Sequence, residues 1–345
     1  MFIIILTVLI FMDALVKKIL EKIKNPEEDS ILFDSSDLPS FKIDKNNFLK
    51  IIEKTSDKKI AFVDGGNLEI IRSPSLSLFF NRIYYNIYQY NKRIKSGVFE
   101  FYTLITAISK ENKIFFKTEY FFTKNKIDLQ EYEFDSFDRS LVFGNRRAAI
   151  SSIGNVIRRF AEISVAKSID DVSVILLDGC LEAKYSEEDK HLQELFNTKN
   201  VVCGLAKTTS LITKKGNSLA VSLSAMADDK KWLYCAGKIK EKEHSADIYF
   251  LKLNKKSEYV FRFEVNNLKE YDINELFCLL EENSKDPIFL GYPYGLIDAD
   301  RFARVSKKER ETLELQLKIK FGKDFEKIKP YLNSLNAHDI LDNIS

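Results

Sequence analysis

The sequence predicts an α/β protein, a mixed β-sheet flanked by helices, on three observations. Apolar runs of strand length recur at Lys59–Val63, Val172–Leu177 and Val201–Leu205, and continuous runs of this kind suit strands buried on both faces. The segment Arg146–Lys167 carries apolar residues at 150, 153, 157, 160 and 161, which is helical spacing with one apolar stripe. The aromatic and β-branched stretches Val98–Ile108 and Ile114–Phe122 are joined by a short connection holding Glu111 and Asn112, the pattern of an antiparallel hairpin.

Residues 25–57 are polar and broken by Pro26 and Pro39, so they form a linker before the folded core. After Lys59–Val63 the triplet Asp64-Gly65-Gly66 reads as a turn. In Leu76–Ile94 the apolar positions 76, 79, 80, 83, 84, 87 and 88 fall in steps of three and four, which predicts a helix inserted ahead of the hairpin. Val172–Leu177 ends in Asp178-Gly179 and is followed by a short helix at 188–196 and the strand Val201–Leu205. A second hairpin is expected at Asp247–Leu253 and Tyr259–Val265, then a helix at 273–282, the loop Gly291-Tyr292-Pro293 and a charged helical C-terminal region. With the helical insertion set aside, the order strand, hairpin, helix, strand, helix, strand is that of an RNase H-like domain. Open α/β sheets place their functional groups at the carboxyl ends of the central strands.

The chain has 345 residues, 45% hydrophobic and 30% charged, with 53 Lys and Arg against 51 Asp and Glu. A net charge of +2 excludes a protein that holds nucleic acid by bulk charge, so any such grip is local. The four cysteines, Cys180, Cys203, Cys235 and Cys278, form no CxxC pair, which argues against a disulfide framework or a zinc ribbon and for a reducing compartment. His191, His244 and His338 lie far apart, so metal chemistry would lean on carboxylates and hard cations. The apolar run Phe2–Phe11 is shorter than the roughly 17–25 residues of a membrane span and lacks a charged n-region. It is expected to be a segment ahead of a true start at Met12 or one that packs on the core or a partner, leaving the protein cytoplasmic with no membrane anchor.

Acidic residues gather at the expected strand ends. Asp64 follows KIAFV and Asp178 follows VSVILL; each could equally be an ordinary Asp-Gly turn. Glu162 sits among Phe160, Ala161, Ile163 and Val165 at the edge of the helical stripe, where the alternative is an i,i+4 pair with Arg158. Asp298 and Asp300 follow GYPYGLI, and either could be a helix N-cap. Carboxylates converging from several elements are what Mg²⁺ or Mn²⁺ requires. Two such ions, one activating water and one stabilising the leaving oxygen, suit phosphodiester cleavage.

The residues IAFVDGGN at 60–67, RRFAE at 158–162, VILLDGCL at 174–181, GLAKTTSL at 204–211 and GYPYGLIDADRFAR at 291–304 together resemble the NurA nuclease family of archaeal and bacterial DNA-end processing. The first motif reads Asp-Gly-Gly here where the family more often has Asp-Gly-Ser, and some relatives use His at the last position. The resemblance implies a nuclease domain at 58–310, preceded by the segment 1–57 and followed by a helical extension at 311–345. It implies catalytic and metal-binding roles for Asp64, Glu162, Asp178 and Asp300, with Asp298 the alternative to Asp300, and Mn²⁺, or Mg²⁺, as cofactor in two copies. It also implies a homodimer that degrades DNA 5′ to 3′, cuts single strands, pairs with the hexameric translocase HerA and serves double-strand break repair beside the break-repair nuclease and its ATPase.

Expected DNA contacts are Arg159, Lys207 and Tyr292, with Arg146, Arg147, Arg158, Lys214, Lys215 and Tyr294 in support. The apolar N-terminus and the aromatic segment 76–94 are candidate contacts for a second copy or a translocase. Two other readings stand against the nuclease. One is a non-catalytic adaptor of the same fold that docks a hexameric translocase or DNA ends. The other is an actin-like ATPase, which needs glycine-rich phosphate hairpins that a chain with 12 glycines does not supply at either Asp-Gly site.

Overall fold

A computed structural model describes residues 12–21, 30–32, 41–207 and 211–333. The apolar run at 2–11 therefore lies outside the described residues. Helix α1 covers residues 12–21, ahead of the short strands β1 (Ser30–Leu32), β2 (Phe41–Lys42) and β3 (Phe48–Leu49). Four long strands follow, β4 (Ile60–Arg72), β5 (Leu76–Gln89), β6 (Lys92–Lys110) and β7 (Lys113–Lys124), then the short β8 (Glu133–Asp135). Helices and strands next alternate as α2 (Ser152–Lys167), β9 (Val174–Asp178), α3 (Glu188–Phe196), β10 (Val201–Ala206), β11 (Ile212–Thr213) and α4 (Leu219–Met226). The chain continues through β12 (Trp232–Lys240), β13 (Ser245–Lys252), β14 (Phe261–Asn266), α5 (Ile273–Asn283), α6 (Tyr294–Ala303), α7 (Lys307–Phe321) and α8 (Phe325–Asn333).

An 11-stranded sheet in the order β3-β12-β13-β14-β10-β9-β4-β5-β6-β7-β8 carries the fold. β4 to β7 form an antiparallel meander, while β9 and β10 run parallel to each other and to β4. Helix α2 is the crossover that makes the parallel pairing possible. Meander, crossover and parallel strands constitute an RNase H-like α/β fold, as the order of apolar runs predicts. Among the described residues no helix is long and apolar enough to cross a membrane.

Two expectations fail at the centre of this sheet. Leu76–Ile94 is not a helix: β5 pairs with β4 on one side and β6 on the other along its length. Phe79, Ile83 and Ile87 enter the core on one face, whereas Phe80, Tyr84 and Tyr88 enter clusters on the other. A strand buried on both faces shows no simple alternation, and apolar residues four apart on each face add up to steps of three and four. Because β5 is a central strand, its aromatic residues are core and offer no face for a second copy. Nor is Asp64-Gly65-Gly66 a turn, since it lies within β4 opposite Tyr84, Ile83 and Arg82. The predicted hairpin exists as β6 and β7 but extends the meander instead of following a helix.

Both faces of the sheet are covered. Helix α2 lays Ile153, Val156, Ile157 and Phe160 on one core, and α5 with Leu276, Phe277 and Leu280 joins Leu296 of α6 on the other against Phe62, Leu176 and Leu205. Helix α6 lies close on β4 because Gly295 has no side chain; a Cβ there would stand 2.1 Å from the Phe62 ring. Gly295→Ala should therefore push α6 off β4 and lower stability by roughly 1–3 kcal/mol, the usual range for overpacking, as a reduced urea midpoint at unchanged slope would show.

Candidate active site

Strands β4 and β9 are in parallel register with Val63 opposite Leu177. The next residues on each, Asp64 and Asp178, thus come side by side on the face that Phe62 and Leu176 present to α6. β9 stops at Asp178 while β4 continues to Arg72, and past the end of β9 a side chain from the other layer can approach. Glu162 does so from α2: a Cβ on Gly65 would lie 2.6 Å from Glu162 Oε1. Lys207 follows β10, two residues beyond Leu205, the partner of Asp178.

Asp64 and Glu162 are each 5% exposed. Burial, then the charges of Glu162 and Asp178, push the Asp64 carboxyl up to about 8, against the pull of Lys207 and a bond from the Gly65 amide at 2.7 Å. Burial also raises Glu162, more than Arg158 and Arg159 lower it. Arg158 Nη1 stands 3.1 Å from Glu162 Oε1 and donates to the Gly65 carbonyl at 2.8 Å. It meets Oε1 off the hydrogen-bond direction, leaving that buried oxygen without a hydrogen-bond partner. The i,i+4 pair expected as the bland alternative thus exists, but it does not satisfy the carboxylate.

Lys207 occupies the middle of the acidic group. Its Nζ is 2.8 Å from Asp178 Oδ2 and 3.3 Å from Asp300 Oδ1. Burial would lower the ammonium pKa, but Asp178, Asp64 and Asp300 together raise it. Among the described residues no cluster of three or more His, Cys, Asp or Glu side chains forms a ready metal cage, and the lysine stands as the cation between the carboxylates. Tyr292 Oη donates to Asp178 Oδ1 at 3.4 Å, while its ring, 1% exposed, packs on Phe289 with centroids 5.1 Å apart.

Asp64, Glu162, Asp178, Lys207, Asp300 and Tyr292 are therefore brought together. Asp298 and Asp300 lie within helix α6, whose N-cap is Pro293, so neither caps it. Two residues apart, they point to different sides: Asp300 meets Lys207, and Asp298 pairs with Arg93 at 2.7 Å. Arg159 is not at the surface. It donates to Glu188 at 2.8 Å and to the Cys180 carbonyl at 3.0 Å with its side chain 12% exposed, which leaves it no face for a phosphate. Tyr292 likewise has no free ring face for stacking on a base.

Sequence reasoning missed the frame around Asp178. Glu188 and Glu264 are both fully buried. Glu188 accepts from the Lys184 and Tyr185 amides, and Glu264 from the Leu181 amide at 2.8 Å and from His244, so the loop after β9 is fastened by two carboxylates. Burial would raise Glu264, but His244, Arg262 and the Leu181 amide bring it down to about 2. The available signal was Arg262 and Glu264 alternating with Phe261, Phe263 and Val265 in a buried strand, where charges survive only when paired.

A sheet of this topology with acidic side chains at its central strand ends has the RNase H-like architecture. The model of the NurA domain matches residues 58–305, and the chain belongs to the NurA family. Among solved structures, the NurA nuclease from Sulfolobus solfataricus is similar at 14% identity with a TM-score of 0.49, over 81% of this chain and 89% of that one. Ciona intestinalis endonuclease V, solved with an inosine-containing DNA, is similar at 12% identity and a TM-score of 0.40, over 74% and 86% of the two chains. The catalytic domain of human endonuclease V is similar at 10% identity and a TM-score of 0.38, over 79% and 92%. No curated protein sequence matches the chain.

The raised Asp64 carboxyl gives a stability prediction. A group whose folded pKa exceeds its unfolded value stabilises below the unfolded pKa and loses that contribution as pH rises through the folded one. In EDTA, Asp64 should make stability fall by up to about 1.4 kcal/mol per pH unit between pH 4 and 8. Asp64→Asn should flatten this fall and melt at a higher temperature than wild type at pH 9, as paired thermal scans would record.

Proposed function

We propose that this chain is a divalent-cation-dependent DNA nuclease that hydrolyses phosphodiesters at the Asp64, Glu162 and Asp178 site. The observation that carries the reading is the convergence of buried acids, with Glu162 Oε1 facing Arg158 without a hydrogen bond and the Asp64 carboxyl pushed up to about 8 by burial and by the charges of Glu162 and Asp178. Oxygen donors in surplus, with a lysine standing in as cation, are the donor set of a hard metal site. Asp64, Glu162, Asp178 and Asp300 would hold two Mn²⁺ ions, or Mg²⁺ in their place. Bound there, such ions supply an activated water and neutralise charge on the leaving oxygen.

The chain's own groups do the rest. Tyr292 orients Asp178 through its hydroxyl, and Arg158 holds Glu162 against the Gly65 carbonyl. Lys207, 37% exposed at its side chain, exchanges its carboxylate partners for a substrate phosphate. Residues 58–310 form the nuclease domain in this reading. The family further supports 5′ to 3′ exonuclease and single-strand endonuclease activity, a homodimer, a HerA-type translocase partner and a role in break-end resection. Four unpaired cysteines suit the reducing cytoplasm.

The test is cleavage of 5′- and 3′-labelled single- and double-stranded DNA in EDTA, Mg²⁺ or Mn²⁺. Cleavage should require the cation, and Asp178→Ala should reduce it by at least about 10²–10³. Tyr292→Phe should lower the rate by roughly 10–100-fold, the usual loss when a partner of a metal ligand is removed. DNA binding without cleavage under any cation would leave a docking adaptor instead.

A further inference from the structure

The side of α6 turned away from Asp300 lines a cleft that the hydrolytic site does not use. It has a volume of about 720 Å³ and is bounded by Arg93, Lys285, Tyr294, Asp298, Arg301 and Phe302. Asp298 forms its floor. That carboxylate is 4% exposed and accepts from Arg93 at 2.7 Å and Asn86 at 3.2 Å, so Arg93 is held in one place by a charge-assisted bond. Asp286 is also engaged, accepting from the Ile288 amide at 2.9 Å. Against the carboxylates of Asp298 and Asp286 the cleft sets three cations, Arg93, which is paired with Asp298, Lys285 and Arg301.

Phe302 supplies the apolar surface. The residue is 45% exposed and stacked on Tyr84 at 5.0 Å, with the Arg93 and Arg301 guanidinium carbons each over its ring at 5.9 Å from the centroid. Aromatic and guanidinium planes backed by Tyr84 match a nucleobase with its flanking phosphates. Arg304, 72% exposed at its side chain and paired with Asp300 at 2.8 Å, begins a route around the solvent face of α6 to Arg301 and then Phe302. Half a turn around a helix about 10–12 Å across is roughly 16–19 Å, or about five stacked nucleotides at 3.4 Å each.

We propose that this cleft is a subsite for the unpaired stretch of substrate next to the cleaved phosphate, one base stacking on Phe302 and its phosphates held by Arg93, Arg301 and Lys285. Its position relative to the cleaved bond rests on the nuclease reading; its affinity for a single strand does not. A base within a duplex has no face to offer, so the subsite selects unpaired DNA.

Binding of a labelled oligo(dT) to the full chain in EDTA, followed by fluorescence anisotropy, tests it without cleavage. Phe302→Ala should weaken binding about tenfold or more, Phe302→Trp should retain it, and duplex binding should change less than about twofold. Arg301→Ala should reduce the slope of log affinity against log salt by about 0.7. With a divalent cation, Phe302→Ala should still hydrolyse bis(p-nitrophenyl) phosphate, which is too small to reach the cleft, at the wild-type rate. Unchanged oligo(dT) affinity in Phe302→Ala, an equal loss on duplex, or an unchanged salt slope in Arg301→Ala would overturn the subsite. If wild type hydrolyses neither DNA nor the small ester, the nuclease reading fails and the anisotropy result still decides the subsite.

Discussion

Glu162 reaches Asp64 because Gly65 has no side chain. The two carboxylates belong to opposite layers of the structure, Glu162 to a helix on one face of the sheet and Asp64 to the other face of β4. They meet where β9 has ended and β4 continues. A Cβ on Gly65 would fill the space that Glu162 Oε1 occupies, so the smallest residue in the chain joins the layers into one site. The cost is visible in Asp64, held near a pKa of 8 by burial and by like charge. Strain of this kind collects where a protein binds or reacts.

A second set of buried acids shows the contrast. Glu264 is as buried as Glu162 but is brought down to about 2 by His244, Arg262 and a backbone amide. Glu188 gives its oxygens to Arg159 and two amides of the loop after β9. Glu264 Oε1, like Glu162 Oε1, has a guanidinium beside it and no hydrogen bond, but the groups around Glu264 favour its charged form whereas burial disfavours the charged forms of Glu162 and Asp64. The first set holds the chain in place, and the second is the one a cation would stabilise. Environment, not residue type, separates the structural acids from the reactive ones. Lys207 stands between the two conditions, bonded to Asp178 and Asp300 with its side chain part exposed.

Much of this was legible in the sequence. The apolar runs at 172–177 and 201–205 gave the parallel strands, and the stripe at 150–161 gave the crossover helix, which together place Asp178 and Glu162 at one end of the sheet. Helical geometry requires only that Asp298 and Asp300, two residues apart, face different ways; the contacts of Lys207 and Arg93 show that Asp300 is the one turned to the acidic group. What escaped was the meander. In β5, apolar residues four apart on two faces imitate helical spacing, and no local rule separates that pattern from an amphipathic helix. Arg159 and Tyr292 look like surface groups by type, but a packed interior uses both, the first as a tether for the loop after β9 and the second as a support for Asp178.

The measurement that bears most directly on this account is a crystal structure of the protein soaked in Mn²⁺, with anomalous scattering collected at the manganese edge. The account predicts anomalous density bounded by Asp64, Glu162 and Asp178, with the Lys207 ammonium withdrawn from Asp178. Crystals saturated with Mn²⁺ that show no peak there, with Lys207 still bridging Asp178 and Asp300, would contradict it.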